Sequence, residues 1–355
     1  MAKIALTPMG QKRLQTPIRE RLGQRYVQPF GTIPYVSGQA TPLQLLKVGV
    51  LGWLDLHFTG TLSYTQAAGA AAWSATSGFP WNLIQLATLK VGNNGNFDQS
   101  LTGYGMYLRE LFTHPGLTQQ GYAYQATLPP ANSGTSSVSG QETWSWRYRL
   151  PVVLSEDDPQ GLLFLQSQAS TAYLNVTFNP LTSIVTIPSG SSGTLTGQLN
   201  VTGYGFALGA LTATDLSVAH VQEEVPYALP AGVTSAQVPL VVGEIVQRMF
   251  LEAYVGGQPD TTGQVALSSV EVQVGVSRQE KWTADELRFS NSLRDRADLP
   301  NGVWVINWAE LGGTQYRDWR LTPQAWLNLG FSAPVPANAQ LYILYEFQRL
   351  FGPLA

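Results

Sequence analysis

The stretch Leu46–Tyr64, LKVGVLGWLDLHFTGTLSY, decides the fold class of this chain. Apolar side chains recur at alternate positions, and Gly, Asp, His and Thr lie between them. This period of two is typical of a half-buried β-strand, because successive side chains of a strand point to opposite faces of the sheet. A helix would repeat its apolar positions about every 3.6 residues. The sequence therefore predicts strands here.

The same alternation recurs along the chain between clusters of turn residues. Clusters rich in Gly, Pro, Asn and Ser lie at 92–95, 129–140, 188–193 and 256–263. Many short strands separated by such turns predict an all-β sandwich. The other strand-like runs are Trp144–Val153, Ala172–Phe178, Gln198–Ala207, Glu244–Val255, Val265–Val276, Gly302–Trp308 and Gln340–Phe347.

A few helices are predicted between the strands. The strongest candidate is Trp282–Asp298, in which Thr283 and Glu286 have the spacing of a capping box at the helix start. A weaker helix is predicted at Thr102–Phe112, and a short one at Pro159–Gln166.

The order of elements repeats between the two halves of the chain. In each half, strands lead to a helix, near 102–112 and 284–297, and the helix leads to further strands. Two similar β units are therefore expected in one chain. The stretch Asp215–Pro230, which contains two glutamates and two prolines, is the expected connection between them.

The composition excludes several classes of chemistry. The 355 residues include no Cys, which excludes disulfides, a thiolate nucleophile and zinc bound through sulfur. Charged residues make up 12% of the chain, against about 25% in ordinary soluble domains, and residues 159–214 contain none. Something other than charge must therefore cover much of the surface.

The charge that is present is concentrated at the N-terminus. Residues 1–25 carry six cations and one acid, Glu20, for a net charge of +5 in a chain whose total is −3. Such a segment, with interspersed Leu, Met and Ile, suits an anionic lipid surface, and a disordered tail is the alternative. No apolar core of a secretory signal is present. The candidate membrane-facing residues are Lys3, Lys12, Arg13, Arg19, Arg21 and Arg25.

Metal binding and general acid–base catalysis find little support. The histidines are isolated in the sequence, without the spacing that brings two metal ligands to one face. The acidic run 156–158 lacks the spaced ligands and glycine of a calcium loop, so a solvated turn is the expected structure. Four carboxylates are conceivable members of a glycosidase pair, although no pattern selects two of them. The histidines are His57, His114 and His220, the acidic run is Glu156, Asp157 and Asp158, and the four carboxylates are Asp55, Glu110, Glu142 and Glu252.

An aromatic and basic run, WSWRYR, raises the alternative of stacking on sugars or bases. Trp144 and Trp146 alternate there with Arg147 and Arg149. Because neighbouring strand residues point to opposite faces, an aromatic core face backed by an exposed arginine face is expected instead. A trimeric β-sandwich that binds glycans, such as a phage spike or lectin, remains the alternative function. Its candidate stacking residues are Trp73, Trp81, Trp144 and Trp146.

Two segments resemble the major capsid proteins of tectiviruses, which are phages with an internal membrane. Tyr148–Leu163, YRLPVVLSEDDPQGLL, looks like the strand, proline and acidic turn of that family. From Leu293, LRDRADLPNGVWVINW leads to WLNLGFSAPVPANAQLYILYEF, which is similar in order and spacing to the last helix and closing strands of the family. The order of elements agrees over roughly residues 26–355.

The resemblance implies an all-β double jelly roll, two eight-stranded sandwiches in tandem with short helical insertions. It places the first roll at 26–222 and the second at 223–355, after the basic segment 1–25. It also implies a homotrimer with a pseudo-hexagonal outline. Low charge is consistent with this role, because the cores of subunit interfaces are depleted in charged residues.

The resemblance further implies what the protein assembles with. Many trimers would form an icosahedral shell around a lipid membrane and a double-stranded DNA genome, with the N-terminal segment facing the membrane. Neighbouring trimers, minor capsid proteins and vertex proteins would be partners, and no sequence-specific nucleic-acid binding is expected. The chain would be made in the host cytoplasm and reside in the virion. No catalytic site, cofactor or metal is expected.

Overall fold

The computed structural model confirms the predicted all-β class, with 58% of the chain in strands. Seven of the eight strand-like runs of the sequence lie largely within strands of the structure, and Leu46–Tyr64 becomes a strand from residue 50 onward. The structure describes residues 23–92, 97–113, 125–153, 161–165, 171–207, 218–241, 245–275, 278–293, 298–308, 319–320 and 324–350.

The first half of the chain forms a sandwich of two antiparallel sheets. One sheet has the order β1-β12-β3-β8-β7, with β9 also paired to β3, and is called sheet 1 here. The facing layer has the order β2-β10-β5-β6, and β4 pairs with β11. The strands are β1 (Arg25–Pro34), β2 (Ala40–Gln44), β3 (Val50–Gln66), β4 (Ser74–Ala75), β5 (Ile84–Val91), β6 (Phe97–Leu101), β7 (Gln125–Ala126), β8 (Val138–Pro151), β9 (Leu163–Phe164), β10 (Ala172–Phe178), β11 (Val185–Thr186) and β12 (Ser192–Phe206).

The second half repeats this arrangement. One layer has the order β13-β22-β15, and β16, β19 and β20 also pair with β15. The other layer has the order β14-β21-β17-β18. The strands are β13 (Val218–Ala228), β14 (Ser235–Pro239), β15 (Ile245–Val255), β16 (Gln258–Pro259), β17 (Leu267–Val274), β18 (Arg278–Thr283), β19 (Val303–Asn307), β20 (Trp319–Arg320), β21 (Ala325–Phe331) and β22 (Ala339–Leu350).

The two halves have the same strand connectivity, which is that of a jelly roll. The order β1-β12-β3-β8 of the first corresponds to β13-β22-β15-β19 of the second, and β2-β10-β5-β6 corresponds to β14-β21-β17-β18. In both, the first strand of the roll pairs with its last strand, which closes the sandwich. The repeat that the element order predicted is thus a pair of jelly rolls, and the double jelly roll is confirmed.

The two rolls share one sheet. Strand β13 pairs in parallel with β6 at Glu223 and Ser100, so that a ten-stranded sheet runs from β16 to β2; it is called the shared sheet here. The stretch Asp215–Pro230, expected to be a connection, therefore contains a strand of the sheet. The predicted boundary between residues 222 and 223 falls inside this strand, and the division into 26–222 and 223–355 stays a prediction.

Helices occupy equivalent places in the two rolls. Helix α1 (Gly103–Thr113) lies between β6 and β8, α2 (Leu181–Ile184) precedes β11, and α3 (Ala284–Leu293) lies between β18 and β19. A 3-10 turn covers Trp81–Leu83. Within the described part of the chain, no helix has the length and apolar character needed to cross a bilayer.

The predicted capping box is present at α3. The amide of Thr283 donates to Glu286 Oε2 at 2.7 Å, and the amide of Glu286 donates to Thr283 Oγ1 at 3.1 Å. The short helix predicted at Pro159–Gln166 is wrong where the structure describes it, because Leu163–Phe164 is a strand paired with Val50 and Leu51 of β3. Backbone pairing with an existing sheet edge overrides a weak local helix preference there.

The core follows the alternation of the sequence. On β3 the side chains of Leu54, Leu56 and Phe58 are fully buried, whereas the intervening Asp55 and His57 are half-buried on the outer face. The period of two in the sequence is thus the period of inward and outward side chains in sheet 1.

Candidate functional site

A buried cluster of charges lies where α1 packs against the shared sheet. Arg109 on α1 donates from Nε to Glu346 Oε1 at 3.0 Å, and Arg248 on β15 lies with Nε 2.6 Å from Glu346 Oε2. Glu346 belongs to β22 and is fully buried, and both arginines are also buried. One carboxylate therefore holds together a helix of the first roll and two strands of the second.

Two further side chains of β13 complete the surroundings of Glu346. Gln222 donates from Nε2 to Glu346 Oε1 at 3.1 Å, and His220 Nε2 lies 3.7 Å from the same oxygen. Burial alone would raise the pKa of Glu346, but Arg248 and Arg109 outweigh it and hold the pKa well below its usual range. Burial lowers the pKa of His220 and Glu346 opposes that shift, so His220 is neutral at pH 7.

The cluster continues toward sheet 1 through Glu110, the next residue of α1. Glu110 Oε2 lies 3.8 Å from Arg109 Nη1, and Glu110 Oε1 lies 3.5 Å from Arg149 Nη1 of β8. Arg109 Nη2 also donates to the Val153 carbonyl at 3.2 Å. The helix is thus ionically tied to the shared sheet on one side and to sheet 1 on the other. This arrangement fixes the relative position of the sheets.

The outer face of sheet 1 carries an aromatic and arginine group close to where the described chain begins. Trp53 and Tyr204 stack with ring centroids 5.2 Å apart, and Arg25 lies over both rings, 5.1 and 5.7 Å from their centroids. Arg149 lies 5.4 Å from the Trp53 ring. Arg25 is therefore anchored on the first strand by cation–π contacts, with its charge still exposed.

The other candidate membrane-facing residues lie outside the described part of the chain. Of the six cations of the leader, the structure places Arg25 alone, at the first position of β1 and opposite Phe206 of β12. The membrane-facing role of the leader stays a prediction. The cations outside the described residues are Lys3, Lys12, Arg13, Arg19 and Arg21.

The two histidines that the structure describes lie in different places. His57 Nε2 lies 2.9 Å from Ser145 Oγ on the outer face of sheet 1, and burial, followed by nearby Arg147, lowers its pKa. His220 belongs to the buried cluster of Glu346. His114 and the acidic run 156–158 lie outside the described residues.

The four carboxylates considered for a glycosidase pair have separate partners. Asp55 accepts a hydrogen bond from Arg147 at 2.7 Å. Glu110 lies within 4 Å of both Arg109 and Arg149 in the buried charge cluster. Glu142 lies half-buried on β8, and Glu252 is fully buried on β15. The carboxylate that acts on Glu252 is Glu224, which was not among the four. The structure gives no observation that pairs two of the candidates across an open cleft.

The tryptophans proposed to stack on glycans are part of the core. Trp146 lies 4.8 Å from the Phe58 ring and 5.8 Å from Trp144, between the layers of the first roll. Trp81 stacks on Tyr107 of α1 at 4.7 Å. All four are at most 4% exposed, so none presents a ring to a ligand; they are Trp73, Trp81, Trp144 and Trp146. The expectation of an aromatic core face backed by arginines is confirmed.

Helix α3 carries an exposed apolar patch that the sequence analysis did not identify. Phe289 and Leu293 are each 68% exposed and lie one helical turn apart, while Leu287 faces the core. Large apolar side chains grouped on a surface are typical of contacts with another molecule.

Comparison with solved structures found the same fold in viral capsid proteins. The MCP of Sulfolobus turreted icosahedral virus (STIV) superposes with a TM-score of 0.65 and 16% identity, covering 92% of this chain and 97% of that one. The PBCV-1 virus capsid structure gives 0.58 and 12%, covering 94% and 96%. The Faustovirus major capsid protein gives 0.59 and 8%, covering 99% and 92%. No family model and no curated protein matches the sequence.

These comparisons bear on the resemblance seen in the sequence. Coverage of nearly the whole of both chains by double jelly-roll proteins agrees with the fold that the resemblance implied. At 8–16% identity, the likeness is one of fold. The narrower likeness to tectiviruses stays a prediction, because the three structures come from other viruses.

Proposed function

We propose that this chain is the major capsid protein of an icosahedral virus with an internal lipid membrane and a double-stranded DNA genome. The observation that carries the proposal is the pair of jelly rolls with identical strand order, which spans nearly the full length of the STIV protein. A chain with two such rolls gives six rolls in a trimer, which suits a pseudo-hexagonal tile. The protein acts by assembly and carries no catalytic site.

The junction between the rolls supports this role. A shell tile must keep its shape under contacts from several sides, and here the two rolls are joined through a common sheet and through α1. The exposed side chains Phe289 and Leu293 on α3, together with the low overall charge, suit burial against other copies or minor capsid proteins.

The first prediction is a homotrimer in solution. Light scattering on the purified chain is expected to give about 116 kDa, three times the 38.6 kDa of one chain. Negative-stain images of that species should have a hexagonal outline, because six rolls surround its axis. A monomer, or a trimer with three lobes, would contradict the proposal.

The second prediction concerns the basic leader, which we propose faces the viral membrane. Replacing Lys3, Lys12, Arg13, Arg19 and Arg21 by Gln should strongly weaken binding to vesicles that contain phosphatidylglycerol, since each cation near an anionic surface contributes about 1 kcal/mol. The measurement is co-sedimentation with such vesicles and with pure phosphatidylcholine vesicles.

A charge-conserving variant provides the matched control for the leader. Exchanging Lys for Arg and Arg for Lys at the same five positions should preserve vesicle binding, because the attraction depends on charge. Both variants keep Arg25, which is part of β1. Unchanged binding by the Gln variant would show that the leader does not act through its charge.

A further inference from the structure

The N-terminus of α1 is capped by a carboxylate from the other roll. Thr102 precedes the helix, and its Oγ1 accepts from the amide of Gly105 at 2.9 Å. The amide and hydroxyl of Thr102 donate to Glu224 of β13, at 2.7 Å and 3.0 Å. This is the pattern of a capping box whose acidic member lies 122 residues away. The start of α1 is thereby attached to the second roll.

Gly105 allows this close approach. A Cβ at this position would lie 2.5 Å from Glu224 Oε2, so any other residue would force the carboxylate or the helix out of its place in the cap. The cap therefore depends on contact between the first turn of α1 and the side chain of Glu224.

A second carboxyl group, Glu252 of β15, is buried close to this cap. Its side chain is fully buried, and neither carboxyl oxygen has a hydrogen-bond partner among the residues that the structure describes. Tyr342 of β22 is its direct partner in the sheet register, and Tyr254 follows two residues later on the same strand. Tyr104 of α1 and Glu224 of β13 are close enough to interact with it electrostatically. The three rings pack together, with the centroid of the Tyr254 ring 4.2 Å from that of Tyr342 and 6.3 Å from that of Tyr104.

Glu252 cannot carry a charge in this position without a large cost. An ionised carboxylate that is removed from water and not hydrogen-bonded is strongly destabilised, and a second carboxylate nearby adds repulsion. Burial first, and then the charge of Glu224, raise the pKa of Glu252 well above its usual value. Burial also raises the pKa of Glu224 to about 7, although the Thr102 hydrogen bonds oppose that shift. Burial raises the pKa of each of the three tyrosines, so they stay neutral over this range.

We propose that Glu224 and Glu252 form a proton-dependent latch between the two jelly rolls. With Glu252 protonated, Glu224 holds the start of α1 on the second roll. When both carboxyl groups lose their protons, their repulsion and the cost of a buried, unpartnered charge loosen α1 from the shared sheet. The inference is independent of the capsid proposal, because it concerns the folding of one chain.

The sign of the pH dependence follows from the raised pKa values. A carboxyl group that holds its proton more tightly when folded stabilises the folded chain below its unfolded pKa, near 4.5, and this contribution is lost as pH rises to the folded value. The unfolding equilibrium constant should therefore increase by about tenfold per pH unit for each such proton, between about pH 4.5 and 7. Because the pKa of Glu252 in the folded chain is raised well above its usual value, its stabilising contribution continues to decrease at higher pH.

The test compares urea unfolding of the wild type and Glu252→Gln from pH 5 to pH 9. We expect the wild-type midpoint to fall as pH rises. The Gln variant, which cannot ionise, should lose about half of this slope up to pH 7, where Glu224 still titrates, and most of it above pH 7, where its stability should exceed that of the wild type. Glu142→Gln, which removes a half-buried carboxyl elsewhere on β8, should keep the wild-type slope. A wild-type slope in Glu252→Gln would overturn the proposal.

A local measurement on the wild type keeps the inference testable if the variant does not fold. Hydrogen exchange of the α1 amides, relative to those of β12, should accelerate as pH rises from 5 to 9 by more than the intrinsic pH effect that both segments share. Equal acceleration in both segments would overturn the latch, since it would show a loss of global stability without any separate loosening of α1.

Discussion

We expect Glu346→Gln to lower the free energy of unfolding by about 3–5 kcal/mol at pH 7, the typical cost of removing one partner from a buried ion pair. The change removes the carboxylate that lies between Arg109 and Arg248 in the interior, and it leaves Glu110, 3.8 Å from Arg109, as the remaining carboxylate beside them. Their charges cannot reach water, because both side chains are less than one tenth exposed. Urea unfolding followed by tryptophan fluorescence measures the loss.

An exposed ion pair provides the control for this substitution. Lys90 and Asp98 lie 3.1 Å apart on the shared sheet, and their side chains are 50% and 44% exposed. Asp98→Asn should therefore cost at most about 1 kcal/mol, since water already screens the pair. Equal losses in the two variants would show that burial does not govern the strength of the Glu346 cluster.

The pH dependence of the Glu346 cluster has the opposite sign to that of Glu252. Because the folded pKa of Glu346 is depressed, its contribution is present above the unfolded pKa, near 4.5, and is lost as pH falls below that value. Glu346→Gln should therefore show a shallower loss of stability on acidification than the wild type. The two buried carboxyl groups together favour a stability maximum in mildly acidic solution.

The strands and the repeat could be predicted from the sequence because they depend on local patterns. Alternation of apolar and polar residues marks a sheet with one face on the core, and β3, with inward Leu54 and Leu56, follows that rule. The capping box of α3 was accessible for the same reason, since Thr283 and Glu286 are three residues apart and bond each other.

The sequence analysis did not predict strand β13, because the polar side chains on one of its faces are buried. Its sequence, VAHVQEEVPYA, places His220, Gln222 and Glu224 on one face, where they are covered although they are polar. The two glutamates and two prolines of Asp215–Pro230 predicted a connection, whereas Gln222 and Glu224 bind partners from β6, from β22 and from Thr102, which precedes α1. A strand whose polar face is buried by specific partners has no distinctive local pattern.

The buried charge cluster was not predictable for a related reason. Arg109 and Glu346 are 237 residues apart, so no spacing rule links them. The available signal was the position of Glu346 within the apolar run of β22, AQLYILYEFQRL, since a carboxylate in such a run requires a buried partner. That signal identifies one member of the cluster without its cations.

We also expect Trp146→Ala to lower the free energy of unfolding by about 3–5 kcal/mol, as other large-to-small changes in packed cores do. Trp146 is fully buried on β8 and packs against Phe58 and Trp144, so its removal leaves a cavity between the two layers of the first roll. Thermal or urea unfolding of the variant measures the loss.

Trp326→Ala is the control, because it removes an indole ring without opening a cavity in the centre of a roll. Trp326 lies on β21 of the second roll and is 37% exposed, so its replacement leaves a smaller cavity and should cost less than Trp146→Ala. The pair of variants also bears on the glycan-binding alternative. If Trp146 served a ligand, its replacement would abolish glycan binding while stability stayed at the wild-type value. A buried core residue must behave in the reverse manner, because its ring reaches no solvent and its loss is felt by the packing of both layers.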